Sequence, residues 1–290
     1  MSFEKPKVGG PIEEVSGEEE PVGIGIEAEE ELERESEVLK SMVGGIAERL
    51  KREHVPVTED CRIDMTMFRG VYSPEAIQRD QEYAERIMGQ GEERRRFPRR
   101  QLAGETPERL KATGERMEML KTVVFDKFLG KDFVVVRSVR YDDVANKIDN
   151  VILDRKTGNL VCAFDEVGES SGPKYERKKD EVLRRDREKG GGTLKYGLRM
   201  ERGNRLIRDK VENVPIFYLA LPKELIDETI EQLDPSADEP SRREKQLFTY
   251  FATSLYSQIQ LLNMDVNLNP VLADRIKNFE RILEGLQEKK

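Results

Sequence analysis

The chain of 290 residues has few of the side chains that most often carry chemistry. It holds one histidine, His54, two cysteines, Cys61 and Cys162, and no tryptophan. A lone histidine excludes a zinc site built on two imidazoles. It also argues against a Ser-His-Asp nucleophile, which His54 would have to serve by itself. His54 lies in Glu53-His54-Val55-Pro56 and reads as a surface residue. Two cysteines cannot form a disulfide framework, and no CxxC spacing occurs. No apolar run approaches the roughly 18 residues of a membrane-spanning helix, so no membrane partner is expected. The opening stretch lacks the apolar segment of a secretory signal, and the expectation is a soluble, cytoplasmic protein. Any catalysis falls to carboxylates, Lys, Tyr, Ser or a bound divalent metal.

Apolar and charged residues each make up 37% of the chain, which suits one core of ordinary size flanked by segments that do not pack. The charge is uneven. Residues 1–60 hold 17 acidic and 7 basic side chains, so the net charge of −8 belongs to the N-terminus. Twelve glutamates fall within residues 10–37, and residues 1–30 are expected to be a disordered acidic tail. Basic residues gather in two places. Arg94, Arg95, Arg96, Arg99 and Arg100 sit within seven positions, and residues 173–210 carry 14 Lys and Arg against 7 acids. Patches of this kind raise the local concentration of phosphate-bearing partners, and Lys174 and Lys178 join the five arginines as candidate nucleic-acid contacts. Solvated helix faces are the plainer reading of the same runs.

Ser73-Pro74-Glu75 and Thr106-Pro107-Glu108 each set a capping residue before a proline and open helices, to about Met88 and to Leu129. An earlier helix is expected over 31–52. Phe133 to Tyr141 reads as a strand, as do Ile148–Leu153 and Leu160–Phe164, the last two joined by a hairpin with Gly158 at its left-handed position. A charged helix follows over 174–189. Thr193–Leu198 and the apolar run Val214–Leu221 are further strands. Ser241 with Glu244 forms a capping box that opens a helix to about Met264, and Asn269-Pro270 opens the last. The expected fold is α/β or α+β, with a mixed central sheet of four to six strands flanked by helices. Its expected regions are a helical one over 31–103, with a basic loop at 94–100, an α/β core over 104–222 and a helical extension over 223–290. The two long C-terminal helices either pack on the core or pair with a second copy.

Three carboxylate positions stand out by context: Glu118 on the helix before the sheet, Asp149 in an apolar strand, and Asp165-Glu166 at the end of another. Acids inside apolar strands cost desolvation energy unless they bind something, and clustered carboxylates suit a hard cation with oxygen ligands. Closing the hairpin with Asp154 opposite Asn159 sets Asp149 opposite Phe164 and Lys147 opposite Glu166. Asp149 then shares a face with Glu166. A one-residue slip exchanges Glu166 for Asp165.

The order of elements over residues 107–221 resembles the PD-(D/E)xK nuclease core of Holliday-junction resolvases and restriction-type endonucleases: a helix bearing Glu118, a strand, a strand with Asp149, a strand ending in acids, a helix and a later strand. The resemblance implies a restriction-endonuclease-like fold and metal-dependent phosphodiester hydrolysis on nucleic acid. Asp149, Asp165 and Glu166 would hold Mg2+ or Mn2+, with Glu118 as the helix acid. The motif departs where a lysine is expected after the third acid: Val167 stands there, or Gly168 if Glu166 is the acid, and Ile148 replaces the proline before Asp149. Lys195, Lys174 and Lys147 are candidates for a lysine moved to another element, with Lys195 taken as the catalytic one. The alternative is a catalytically inactive relative that serves as a scaffold or interaction protein.

Overall fold

The structure, a computed structural model, describes residues 26–96, 107–167, 171–201, 205–237 and 239–287. Its N-terminal part comprises α1 (Ile26–Arg52), a 3-10 turn (Met65–Phe68), α2 (Pro74–Arg96) and α3 (Pro107–Leu129). The core follows with β1 (Phe133–Arg137), α4 (Arg140–Asn146), β2 (Asn150–Asp154), β3 (Leu160–Val167) and α5 (Pro173–Lys189). Then come β4 (Gly192–Glu201), β5 (Arg205–Val214), β6 (Ile216–Ala220), α6 (Lys223–Ile230), α7 (Arg242–Asn263) and α8 (Pro270–Gln287). The fold is α+β, with a four-stranded mixed sheet in the order β1-β2-β3-β6 and a separate two-stranded ribbon of β4 and β5. No helix among the described residues is long and apolar enough to cross a membrane. Of the expected tail, residues 1–25 lie outside the described residues, and 26–30 belong to α1.

The sheet meanders through β1, β2 and β3, and β6 joins β3 in parallel after the crossover through α5 and the ribbon. Its strands are buried on both sides. Phe125 of α3 stacks on Phe164 of β3 and on Phe251 of α7, and Phe217 of β6 meets Phe279 of α8. Both sheet edges are covered. Along β6, Gln258 of α7 acts as a strand neighbour: its carbonyl accepts the Tyr218 N–H at 3.0 Å and its amide donates to the Tyr218 carbonyl at 2.9 Å. Along β1, the segment at Arg62 bridges Arg137 in parallel; Ile63 N–H donates to the Arg137 carbonyl and Arg137 N–H to the Cys61 carbonyl, both at 2.9 Å. Three helices hold together on Arg116 of α3, almost fully buried, which pairs with Glu35 of α1 and with Asp227 of α6 at 2.8 Å.

The capping box at Ser241 and Glu244 forms as expected, with Ser241 N–H donating to Glu244 at 2.7 Å and Glu244 N–H to Ser241 at 3.2 Å. Several expected boundaries move. The strand expected over 133–141 stops at Arg137, because the chain turns at Ser138-Val139 and Asp142 and Asp143 enter the first turn of α4. β2 begins at Asn150, so Asp149 stands just ahead of the strand rather than inside it. The strand expected at 193–198 does not join the central sheet but pairs with β5. Gly192 lets the ribbon close on the sheet, since a Cβ there would lie 2.2 Å from the Ile216 side chain.

Asp186 of α5 is fully buried against β6, with Oδ1 accepting the Ile216 N–H at 3.3 Å and Oδ2 without a hydrogen-bond partner. Burial pushes its carboxyl well above the usual range. A raised pKa in the folded state means stability is greatest below the ordinary Asp value and is lost as pH rises through the folded one. Asp186→Asn keeps the acceptor for Ile216 and removes the ionisable group. Relative to the parent it gains about 1–3 kcal/mol at alkaline pH and little at pH 4, read from denaturant unfolding at the two pH values. A parent and variant with parallel pH profiles would contradict this.

Candidate functional site

The covered edge of β1 creates the site. Because residues 61–63 bridge Arg137, the side chains of Arg62 and Arg137 both meet Glu118, which α3 carries past the end of β1. Arg62 donates to Glu118 Oε2 at 2.6 Å, and Arg137 donates to the same oxygen through Nε at 3.1 Å and again through Nη2. The two guanidiniums are only 5% and 4% exposed. Arg62 also donates to the Ser138 carbonyl at 3.2 Å and reaches Asp143 at 3.4 Å. Asp60 closes the outer side, 3.2 Å from Arg62 and 3.5 Å from Arg137.

Short connections bring the other acids in. α4 starts three residues after β1 and folds Asp143 back toward Glu118. Lys147, at a left-handed φ of 54°, caps α4 with its N–H on the carbonyls of Asp142 and Asp143 and turns the chain toward Asp149. Asp149 is pinned at both ends of its peptide: its carbonyl accepts the Ser138 N–H and its N–H donates to the Phe164 carbonyl, each at 2.8 Å. Ligand oxygens of Glu118, Asp143 and Asp149 consequently lie within 4.8 Å of one another.

Electrostatics divide the acids. Burial alone would raise the Glu118 carboxyl, but Arg62 and Arg137, helped by fully buried Lys121, outweigh it and hold the group below its usual value. Asp143 goes the other way: burial and the Glu118 charge push it up against the pull of Arg62 and a hydrogen bond with Asp149. The donors are oxygen-only and carboxylate-rich, which fits a hard cation. The arginines occupy Oε2 of Glu118 and leave Oε1 out of their bonds.

Of the acids expected from the sequence, the structure brings Glu118 and Asp149 together and sets Asp165 apart. Asp165 pairs with Lys178 of α5 at 2.7 Å and with Arg185 at 3.8 Å. Burial raises its carboxyl and these two cations lower it in part. Arg185 donates in turn to the Asn146 carbonyl at 2.9 Å, so this second charge cluster abuts the end of α4. The hairpin closes at Asp154 and Asn159 as expected, but a bulge between Ile152 and Leu153 shifts the register, and Asn150 rather than Asp149 is the Cα partner of Phe164. Within the paired residues this is the one-residue slip that the sequence left open. The side chain of Glu166 lies outside the described residues, as do those of Arg94, Arg95 and Arg96 at the end of α2 and all of Arg99 and Arg100.

Lys195 goes elsewhere. Its ammonium pairs with Asp80 of α2 and lies 5.0–5.7 Å from the ring centres of Tyr72, Tyr141 and Tyr196. Lys178 is the lysine paired with Asp165, and Lys174 is exposed in the first turn of α5. Sequence reasoning missed Asp143, Arg62 and Arg137. The adjacent acids Asp142 and Asp143, straight after an apolar strand, are the signal for Asp143, because acids favour a first helical turn. Arg62 carries no local signal; only the edge bridge makes it a neighbour of Glu118.

Two clefts open beside the arginines. One, of about 550 Å³, is lined by four carboxylates and three cations, among them Lys40, Glu48, Glu115, Arg137 and Arg140. The other, of about 460 Å³, has Asp60, Asp64 and Glu85 against Arg62 and Arg140. Neither has a wall that favours a polyanion. Compared with protein-family models, curated proteins and solved structures, the chain matches none.

Two acids of one cluster respond unequally to neutralisation. Glu118→Gln leaves two buried guanidiniums short of a counter-charge and costs about 3–5 kcal/mol. Asp149→Asn removes a charge that faces two other acids, and its amide donates to Asp143, so it changes metal-free stability by about 1 kcal/mol or less. Chemical denaturation of both variants checks this, and equal losses would show that the acids have equivalent structural partners.

Proposed function

We propose that the chain is a divalent-metal-dependent nuclease with a PD-(D/E)xK-like core that hydrolyses phosphodiester bonds in nucleic acid. The observation that carries this reading is the convergence of Glu118 and Asp149, with Asp143, at the sheet end where β1 stops and β2 starts. The order α3, β1, β2, β3, α5 and β6, with α4 set between β1 and β2 and the ribbon before β6, supports it, being the order on which the resemblance rests. Oε1 of Glu118 and the carboxylates of Asp143 and Asp149 would hold Mg2+ or Mn2+. Such an ion, when bound, polarises a scissile phosphate and acidifies its bound water.

The protein's own groups divide the remaining work. Arg62 and Arg137 fix the orientation of Glu118. Lys178, held by Asp165, is a cation placed to meet charge developing on a phosphoryl group. Lys174, Arg177 and Arg184 are exposed along α5 and offer phosphate contacts, whereas the two clefts beside the arginines are lined by more acids than bases. A phosphate backbone therefore approaches over α5 and not through those clefts.

A second reading is a non-enzymatic scaffold. It is favoured by the two arginines on Glu118, which already neutralise much of the cluster. The two readings part on one experiment. For the nuclease, Mn2+ at a hundred times its dissociation constant stabilises the fold by about 2.7 kcal/mol and supports cleavage of a labelled oligonucleotide. Asp149→Asn loses both effects. Lys178→Ala keeps the metal-dependent stabilisation and loses cleavage by a factor on the order of 100 or more. A fold whose unfolding midpoint ignores Mn2+ would leave the scaffold.

A further inference from the structure

Asp142, next to Asp143, faces away from the acid cluster and is fully buried. Its two oxygens take three hydrogen bonds. Oδ1 accepts the Lys195 N–H at 2.8 Å and the Asn146 amide, and Oδ2 accepts the Tyr196 N–H at 3.0 Å. The donors come from an irregular stretch of the ribbon. Pairing of β4 with β5 shifts between Leu194 and Gly197, and Lys195 and Tyr196 stand within the break. Their N–H groups point at a carboxylate on α4 instead of across the ladder. Bulges of this sort re-aim backbone groups and are common beside active sites.

The helix that receives them needs an anchor. α4 has seven residues and no side-chain cap at its N-terminus, so its own hydrogen bonds hold it weakly. The ribbon on the other side of the contact is well fixed. Tyr72 donates to the Lys195 carbonyl at 2.8 Å, Tyr196 donates its hydroxyl to Asp80 at 2.6 Å, and Lys195 pairs with the same Asp80. Asp142 is thus the only bridge by hydrogen bonds, among the described residues, between this fixed ribbon and α4.

We propose that Asp142 is a positioning residue: by holding α4 on the backbone of Lys195 and Tyr196 it keeps Asp143 within ligand distance of Glu118 and Asp149, so that seating of the ribbon sets the cation affinity of the cluster. This rests on the cation-binding reading of the cluster. A carboxylate accepting two backbone N–H groups cannot be replaced by an amide without turning one donor toward another.

The test is Mn2+ affinity by isothermal titration calorimetry, beside the unfolding midpoint, in the full chain. The parent binds Mn2+; if it does not, the cation-binding reading falls and the cause is not Asp142. Asp142→Asn weakens Mn2+ at least tenfold. Asn146→Ala, which removes one donor from Asp142 and keeps the fold, weakens it about threefold and serves alone if Asp142→Asn does not fold. Phe279→Leu, a core change on α8, lowers the midpoint and leaves the affinity within twofold, which separates positioning from general loss of stability. Parent-like affinity in Asn146→Ala and in any folded Asp142→Asn overturns the proposal, as does an equal loss in Phe279→Leu.

Discussion

The contact on which the site depends is the carboxylate of Glu118 between the guanidiniums of Arg62 and Arg137. It joins three pieces of chain that are distant in sequence: α3, the last residue of β1, and the short segment that covers the β1 edge. Once the arginines are buried they must keep a counter-charge, because an unpaired charge in the interior costs several kcal/mol. That requirement fixes the rotamer of Glu118 and the depth of α3 against the sheet. It also bears on how close Asp143 and Asp149 come, since the charges of both act on Arg62.

The cluster is built from compensation rather than from attraction alone. Four acids, Glu118, Asp143, Asp149 and Asp60, against Arg62, Arg137 and Lys121 leave an excess of negative charge, and the molecule distributes it unevenly. Glu118 is held ionised, while Asp143 is pushed toward its neutral form and hydrogen-bonded to Asp149. A divalent cation would relieve the crowding that now makes Asp143 and Asp149 share a hydrogen bond. The charge cluster of Asp165, Lys178 and Arg185, with Glu181 also on Arg185, abuts the end of α4.

Much of this was legible in the sequence. Proline and capping signals placed α2, α3, α7 and α8, a β-branched run placed β1, and apolar runs placed β3 and β6. Glu118 and Asp149 stood out because an acid in an apolar setting needs a reason to be there. What stayed hidden was governed by distant contacts. The bulge after Ile152 shifts the hairpin register by one residue, and nothing in the hairpin residues announces it. The strand Thr193–Leu198 was recognisable, but its partner is the charged β5, whose alternation is weak, so the separate ribbon and the Asp80 environment of Lys195 went unseen. Arg62 owes its place to an edge bridge that only the folded sheet defines.

Glu118, Asp143 and Asp149 are proposed to form one cation site. Anomalous diffraction at the manganese absorption edge, from crystals of the protein soaked in Mn2+, tests it most directly. A single strong peak bonded to oxygens of all three carboxylates is expected, with Arg62 and Arg137 still on Glu118. A cluster that stays without a peak, or a peak on Asp165 with none on Asp149, would contradict it.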